Sequence, residues 1–428
     1  MTVAVQPGTT FGPEVSLPTT PRSYVRHDPV IRRLLAIHGS GQMADAVVAL
    51  ALAQVVVFDI GQGASPAAVV RVTATALIPY LVACTVAANV ADRWSRRPTL
   101  LRLAAMRACI AAAAVLVPLT ASRPLGYTIW ALATFSAGLA TNLRSAALAH
   151  VVPAQALTAA NSLSAICGRL AGVLGFVTSV VVGLWSQLAA VTVAMVIHLG
   201  AALGYAATRL DLGGGAASAP LLRRAPRGIG RHVGTLFSQP GARRAVATAL
   251  AHRAISAAAF VTFILFIDSR YHLEASGFAV AIGLTATGTV IGTIVAPFVT
   301  RHLSARRACF TSFVAGGVLC TAAALHTVSW LVTGAMIGIA FTVQLIRINT
   351  ETTVQRDMPS TGVGGALASY DRMYNIAYIT GAAAAIAVVP RGTGHAFTFS
   401  AAAYALALAI AITASVLSRI QPPPWRNC

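Results

Sequence analysis

Twelve apolar stretches, separated by short polar segments, constrain how this chain folds more than any other feature. An α-helix needs about 20 apolar residues to cross the hydrocarbon core of a bilayer, and each stretch reaches or approaches that length. Backbone groups cannot remain unpaired in lipid, so the stretches predict helices and not open strands. The predicted spans are 34–58, 67–90, 99–121, 125–149, 159–182, 187–209, 244–267, 277–300, 308–325, 328–349, 363–388 and 394–418.

The composition leads to the same class. Of 428 residues, 57% are hydrophobic and only 10% are charged, whereas a soluble domain carries about 25% charged residues. The net charge of +20 comes with no lysine at all. Such a charge can indicate nucleic-acid binding. Here the arginines cluster between apolar runs, as in loops that flank membrane spans, so we expect the lipid bilayer and not nucleic acid as the partner.

The arginines also indicate how the spans cross the membrane. If the N-terminus and every second loop lie on one side, 21 of the 31 basic residues fall on that side, Arg347 and Arg356 among them. Four fall on the other side and six lie within spans. Positively charged loops face the cytoplasm. The sequence therefore predicts a multi-pass protein of the cell membrane with both termini in the cytoplasm.

A segment rich in Gly, Pro and Arg separates the sixth span from the seventh and predicts a flexible linker. Six spans on each side of it predict an all-α polytopic fold of two six-helix bundles with a cavity between them. The predicted parts are a disordered cytoplasmic tail (1–30), an N-terminal bundle (31–210), a basic linker (211–243), a C-terminal bundle (244–419) and a C-terminal tail (420–428).

The residue types that carry enzyme chemistry do not cluster in the sequence. The six cysteines form no CxxC pair, and no Cys/His spacing typical of a metal site is present. There is no GxxxxGK[ST] phosphate loop, and no His/Asp/Ser group gathers at one membrane depth. The sequence thus predicts no metal, no cofactor and no enzymatic activity.

The stretch ANVADRWSRRPTLL (88–101) places four charges in the loop between the second and third spans. A carboxylate there can cap a neighbouring helix end or pair with arginine, which predicts a conformational latch; the alternative is a set of topology charges. The loop resembles the G-x-x-x-D-R-x-G-R-R signature of the major facilitator superfamily. The matching residues are Asp92, Arg93, Arg96 and Arg97, while Ala88 and Ser95 replace the two glycines.

Three further stretches are similar to the branch of that superfamily that holds enterobactin-exporter-like and macrolide-efflux-like proteins. They are GQMADAVVALAL (41–52) with Gln42 and Asp45, RSAALAHVVPAQALTAANSLSA (144–165) with Arg144, Pro153 and Asn161, and VQRDMPSTGVGGALASY (354–370) with Gln355, Pro359 and Gly364. The fifth span departs from the exporter pattern G-P-x-x-G-G, of which GFVTSV (175–180) keeps only Gly175. The resemblance implies the major facilitator fold. Arg102, Arg107 and Arg144 lie nearer the cytoplasmic ends of their spans, where they either extend towards water or brace the latch.

Charged side chains within the spans are candidates for function, because a charge at membrane depth is costly. Asp45 lies near the middle of the first span. Burial favours its neutral form and a nearby arginine its ionised form, so it is the first candidate for proton coupling. The alternative is a protonated aspartate that hydrogen-bonds another helix. Asp371 is the second candidate, and with Arg372 it forms either a gate pair or a local structural ion pair.

Several other side chains are candidates for the cavity and its substrate. Arg169 and Arg253 lie deep in their spans, where either could neutralise Asp45 or contact an anionic substrate. His198 and His252 are weaker candidates for a proton relay, since a lone helical histidine is more often a packing residue. The remaining cavity candidates are Gln42, Arg372, Tyr370 and Tyr374.

These observations predict a secondary active transporter that alternates access between its two bundles. Without a phosphate loop for ATP, we expect the proton gradient to drive transport by a monomer. Efflux of a drug, macrolide or siderophore is what the resemblance implies. Two alternatives remain open. One is an importer or facilitator of a small metabolite, and the other is a membrane receptor or scaffold that does not transport.

Overall fold

The computed structural model describes residues 28–56, 66–91, 94–120, 122–153, 156–183, 185–208, 211–213, 225–271, 275–358, 362–389 and 392–420. These residues form twelve long helices and two short ones. In chain order they are α1 Pro29–Val56, α2 Pro66–Val90, α3 Arg96–Ala114, α4 Leu116–Thr120, α5 Arg123–Val151, α6 Leu157–Gly183, α7 Gln187–Ala207, α8 Ala225–Ser238, α9 Pro240–Tyr271, α10 Ala275–His302, α11 Ala305–Leu325, α12 Ser329–Asp357, α13 Val363–Val388 and α14 Thr393–Ile420.

Each predicted span corresponds to one long helix, with two differences. The third span is interrupted at Val115, whose N–H bonds to the carbonyl of Ala112 (3.2 Å). Pro118 has no N–H to offer the carbonyl of Ala114, so the helical ladder breaks there. The tenth predicted span ends at residue 349, but the helix α12 continues to Asp357. Hydropathy detects only the end of the apolar run, whereas the polar last turns of this helix are buried against other helices.

The two halves repeat one packing scheme. In the N-terminal half α1 packs on α6, α2 on α5, and α3 on α7. In the C-terminal half the helices at the corresponding positions pair in the same way: α9 with α13, α10 with α12, and α11 with α14. The halves meet through α2 with α13 and through α6 with α10. Apolar clusters fill each half separately, which gives two cores and a seam between them.

Glycines allow the closest helix contacts at equivalent places in the two halves. In α6, a Cβ at Gly175 would overlap the carbonyl oxygen of Met43 in α1. In α13, a Cβ at Gly381 would overlap the carbonyl oxygen of Ala254 in α9. The backbones therefore pack directly, as small residues permit in membranes. Gly172, one turn before Gly175, has no neighbouring atom within 4 Å.

Within the segment predicted as a flexible linker, the structure has ordered parts. Leu212 is buried, and Gly213 adopts a left-handed conformation (φ 75°) against the side chains of Arg96 and His150. The helix α8 packs on α13, α2 and α9, and its Leu236 is fully buried in the C-terminal core. Parts of the predicted linker are therefore packed: 211–213 lies against the N-terminal half, and α8 contacts both halves.

The glycine contacts generate a direct stability test. Gly175→Ala should lower the thermal-unfolding midpoint of the purified protein, since the added methyl group forces two backbones apart at a cost of about 1–3 kcal/mol. Gly172→Ala in the same helix is the matched control and should leave the midpoint unchanged or raise it slightly. Equal midpoints for the two variants would contradict the close packing of α1 and α6.

Candidate functional site

Asp45 belongs to a three-residue cluster inside the N-terminal half. Arg107 of α3 binds both of its carboxylate oxygens, with Nε 3.1 Å from Oδ1 and with Nη2 on Oδ2. His198 of α7 places Nε2 3.4 Å from Oδ1. Arg107 also donates to the carbonyl of Gly41 (3.2 Å). The carboxylate is thus paired with an arginine and faces an imidazole that can carry a proton.

Two small cavities adjoin this cluster, and Arg107 lines both of them. The first, about 20 Å³, is also lined by Gln42, Arg144 and Tyr205, and the second, about 10 Å³, by Asp45 and His198. A cavity of roughly 10–15 Å³ holds one water molecule. The cluster therefore has room for water beside its titratable groups.

The partner of Asp45 differs from the sequence prediction. Arg169 and Arg253 were the expected neutralising groups, but Arg107 takes that place. Arg107 was expected to extend towards water at the end of its helix; instead it is buried. Helix α3 faces α7 and approaches α1 in this half, so an arginine midway along it reaches α1 across the bundle. The sequence carried a signal, since the predicted depths of Arg107 and Asp45 in their spans differ by only about one helical turn.

A second polar cluster joins the two halves. The hydroxyl of Tyr80 in α2 donates to Oδ2 of Asp371 in α13 (2.9 Å). Arg347 of α12 donates to Oδ1 of Asp371 (3.1 Å) and to Oε1 of Glu351 one turn along its own helix (2.7 Å). Asp371 is buried. One carboxylate therefore holds a tyrosine of one half and an arginine of the other.

Arg347 and Glu351 are the functional candidates that the sequence did not identify. The predicted topology counted Arg347 among the loop charges because the apolar run of the tenth span ends near residue 349. The structure places it within α12, with ten residues of helix beyond it. Its i,i+4 spacing from Glu351 was the available signal, since that spacing puts opposite charges on one helix face.

Contacts between the halves gather towards one membrane face, which we call the basic face and define as the face at which α1 begins. There, Asn161 at the start of α6 donates to Gln355 (2.5 Å) and to Thr352 (3.4 Å) near the end of α12. On the same side, Ala88 near the end of α2 packs with Ala368 of α13. The described polar contacts between the halves thus close the seam towards the basic face.

The arginines of the predicted latch bind helix ends. Arg96 is buried and donates to the carbonyls of Ala91 (2.9 Å), Ala146 (3.2 Å) and Leu212 (3.2 Å). Arg97 donates to the carbonyl of Ala206 in the last turn of α7 (2.8 Å). These acceptors lie in the N-terminal half and the segment after it. The roles predicted for Asp92 and Arg93 stay predictions, because both lie outside the described residues.

Arg144 lies nearer the seam than the loop. It binds the hydroxyls of Ser164 in α6 and of Ser145 (3.2 Å), and it lies within electrostatic range of Glu351 and Arg347 of the other half. Its described contacts place it near Glu351 and Arg347 of the second polar cluster, and its role beside the latch stays a prediction.

Arg169 and Arg253 approach one another from opposite halves. Arg253 of α9 stacks on the rings of Tyr374 (4.9 Å) and Tyr378 (4.4 Å) of α13. Arg169 of α6 is exposed midway along its helix and within electrostatic range of Arg253, Arg347 and Tyr374. An exposed arginine at this depth requires water, not lipid, around it. The two arginines therefore mark the space between the halves.

The other predicted residues occupy packed positions. His252 is buried against Tyr404 and hydrogen-bonds Thr342 (3.2 Å), as expected of a packing histidine. Tyr370 is buried and packs on Tyr374 (5.6 Å between ring centroids). Among the described residues, Asp371 pairs with Arg347 and not with Arg372. Within the described residues, no three His, Cys, Asp or Glu side chains group as metal ligands would.

Comparison with solved structures identifies the fold. The human organic anion transporter MFSD10 superposes with a TM-score of 0.70 at 13% identity, covering 89% of this chain and 99% of that one. A bacterial homologue of the iron transporter ferroportin, in an outward-facing state, gives 0.64 at 15% identity, covering 90% and 99%. The fucose:proton symporter FucP of E. coli gives 0.60 at 11% identity, covering 89% and 98%.

These likenesses confirm the predicted major facilitator fold, a multi-pass membrane architecture of twelve helices in two six-helix bundles. No protein-family model matches the sequence, and no curated protein sequence matches it. Seven of the described helices are long and apolar enough to cross a membrane by length and composition alone, and two shorter apolar helical stretches lie within α2 and α10.

The tyrosine bridge across the seam can be tested by cross-linking. Tyr80→Phe removes a hydrogen bond to a carboxylate, worth about 1.5 kcal/mol or more. The ratio of molecules closed at the basic face to molecules open there should therefore fall roughly tenfold. The readout is the rate at which a short thiol-reactive cross-linker joins Asn161→Cys to Gln355→Cys in a background without other cysteines.

Tyr404→Phe is the matched control, because the Tyr404 hydroxyl contacts only His252 of its own half (3.5 Å) among the described polar groups. It should leave the cross-linking rate unchanged. An equal rate in Tyr80→Phe and the parent protein would contradict a bridging role for Tyr80.

Proposed function

We propose that this protein is a secondary active transporter that exports a small molecule in exchange for protons by alternating access. The observation that carries the proposal is the pairing of two like halves whose polar contacts close one face of the seam. Two half-bundles that can rock about a midplane site expose it to one side at a time. The transporters among the solved structures of the same fold add support, including a proton symporter and an organic anion transporter.

We further propose that the basic face is cytoplasmic, which places both termini in the cytoplasm and the protein in the cell membrane. The arginine distribution between loops supports this orientation. In that orientation the structure corresponds to an outward-facing state, because the halves are joined towards the cytoplasm. The likeness to the outward-facing ferroportin homologue supports the same assignment. The protein is proposed to work as a monomer, since each half completes the seam of the other.

Asp45 is proposed as the proton-coupling carboxylate. Its ionised form is held by Arg107 and faces His198. Protonation would remove the negative charge and weaken the ion pair with Arg107. Arg107 would then donate to other acceptors, such as the carbonyl of Gly41 that it already contacts. A protonation step thus changes how α1 and α3 are held together. Asp371 is the alternative coupling site, since its protonation would weaken the bridge to Tyr80 across the seam.

The proton gradient supplies enough energy for uphill export. One charge that crosses a potential of about 100 mV releases about 2.3 kcal/mol, which sustains a solute gradient of roughly fiftyfold. The sequence resemblance favours efflux of a drug, macrolide or siderophore. Import or facilitated diffusion is the second candidate, favoured by the loss of all but Gly175 from the exporter pattern in α6.

The coupling role is tested by Asp45→Asn, which keeps the size and hydrogen-bonding groups of the side chain but removes its proton site. Proteoliposomes containing a pH-sensitive dye are screened with antibiotics, siderophores, sugars and organic acids for substrate-dependent proton movement. Wild type should couple proton and substrate fluxes. Asp45→Asn should lose uphill transport and proton movement while it keeps substrate binding and downhill exchange.

Asp28→Asn is the matched control, because Asp28 caps the start of α1 through the N–H of Val30 (2.7 Å) and asparagine caps equally well. It should transport as wild type does. Coupled transport retained in Asp45→Asn would transfer the role to Asp371. Substrate movement in wild type without any proton movement would identify a facilitator and contradict the proposal.

A further inference from the structure

Positive charge exceeds negative charge in the space between the halves. Four guanidinium groups lie there: Arg347 is within electrostatic range of Arg144 and of Arg169, and Arg169 is within range of Arg253. The carboxylates that face this group from the described parts of the packed helices are Asp371 and Glu351, and both bind Arg347. The charges within the described residues therefore do not balance, and the surplus is positive.

Three guanidinium groups carry the surplus: Arg144 binds two serine hydroxyls, and the other two are Arg169 and Arg253. Neither of the latter two forms an ion pair with a carboxylate among the described residues, and the buried Nε of Arg253 has no hydrogen-bond partner there. Arg253 is held instead by Tyr374 and Tyr378, whose rings stack on it and fix its plane. Stacking satisfies the faces of a guanidinium but leaves its N–H donors available.

An unpaired cation at this depth is costly, and two cations that repel each other add to that cost. Such an arrangement persists where a ligand supplies the missing charge. The guanidinium fork matches the two oxygens of a carboxylate or phosphate, and tyrosine rings beside it suit an apolar or aromatic body. The positions of Arg169 in the N-terminal half and Arg253 in the C-terminal half would put such a ligand across the seam.

We propose that the transported molecule is an organic anion whose acid group binds between Arg169 and Arg253. This inference rests on the proposed transport function and specifies its substrate class: acidic molecules are favoured over amine-bearing drugs. The anion neutralises the repulsion that otherwise holds the two arginines apart, so binding favours approach of the halves around it. Export also follows the membrane potential, because a negative charge leaving a negative interior moves downhill.

Binding is tested with three probes that share one ring system and differ in charge: 2-naphthoate, 2-naphthamide and 2-naphthamidinium. The full-length protein is purified in detergent, and the thermal-unfolding midpoint is followed against probe concentration, since a ligand that binds only the folded state raises it. The naphthoate should raise the midpoint in a saturable way. The amide should act weakly, and the amidinium should not act at all.

Variants assign the binding to the two arginines. Arg169→Gln and Arg253→Gln should each raise the dissociation constant for naphthoate about tenfold or more, as expected for a lost charge-assisted hydrogen bond. Arg169→Lys and Arg253→Lys keep the charge and should recover part of the affinity. Arg102→Gln is the matched control, because Arg102 is exposed elsewhere, on α3, and should bind as wild type does.

The lysine variants show that a loss in the glutamine variants is due to charge and not to misfolding. Preference for the amidinium, no saturable effect of naphthoate, or full affinity in both glutamine variants would overturn the anion site. Binding without any proton-coupled flux would keep the anion site and contradict the transport proposal. Proton-coupled flux of neutral or cationic compounds only, without anion binding, would keep the transport proposal and contradict the anion site.

Discussion

The ion pair of Asp45 with Arg107 shows the constraint on which the rest of the structure depends: charge within the membrane must be paired or hydrated. Breaking such a pair is strongly destabilising, since one buried charge remains without compensation. The N-terminal half satisfies its acid internally, with Arg107 and His198. The C-terminal half instead places Asp371 where it binds Tyr80 of the other half. One acid therefore contacts helices within a bundle, and the other connects the two bundles.

This division of roles suits a molecule that works by rocking two rigid units. Directly packed backbones at Gly175 and Gly381 make each half a firm body. The seam, in contrast, is held by few polar contacts, such as Asn161 with Gln355, and by small side chains such as Ala88 and Ala368. Contacts of that size can be exchanged for contacts at the opposite face at little net cost. The helix α8, which packs on both α2 and α13, adds a brace at the basic face.

Hydropathy and loop charge were sufficient to predict the twelve helices and their grouping in two bundles, because lipid imposes both patterns on any chain. They did not predict pairings between helices. The partner of Asp45 was missed because the fold, and not the sequence distance, brings Arg107 to α1. Arg347 was placed in a loop because hydropathy detects only apolar side chains. The helix continues past the apolar run through polar residues that pack at the seam. Residues 211–213 are ordered because they contact Arg96. Composition could not predict this tertiary contact.

The central claim is that the two faces of the seam open in alternation. It is tested by distance measurements between spin labels on two pairs of exposed positions, Arg33→Cys with Arg306→Cys at the basic face and Trp185→Cys with Trp330→Cys at the opposite face. On acidification, which would protonate the proposed coupling carboxylate, the account predicts that one distance lengthens as the other shortens. Distances that both stay fixed, or that lengthen together, would contradict it.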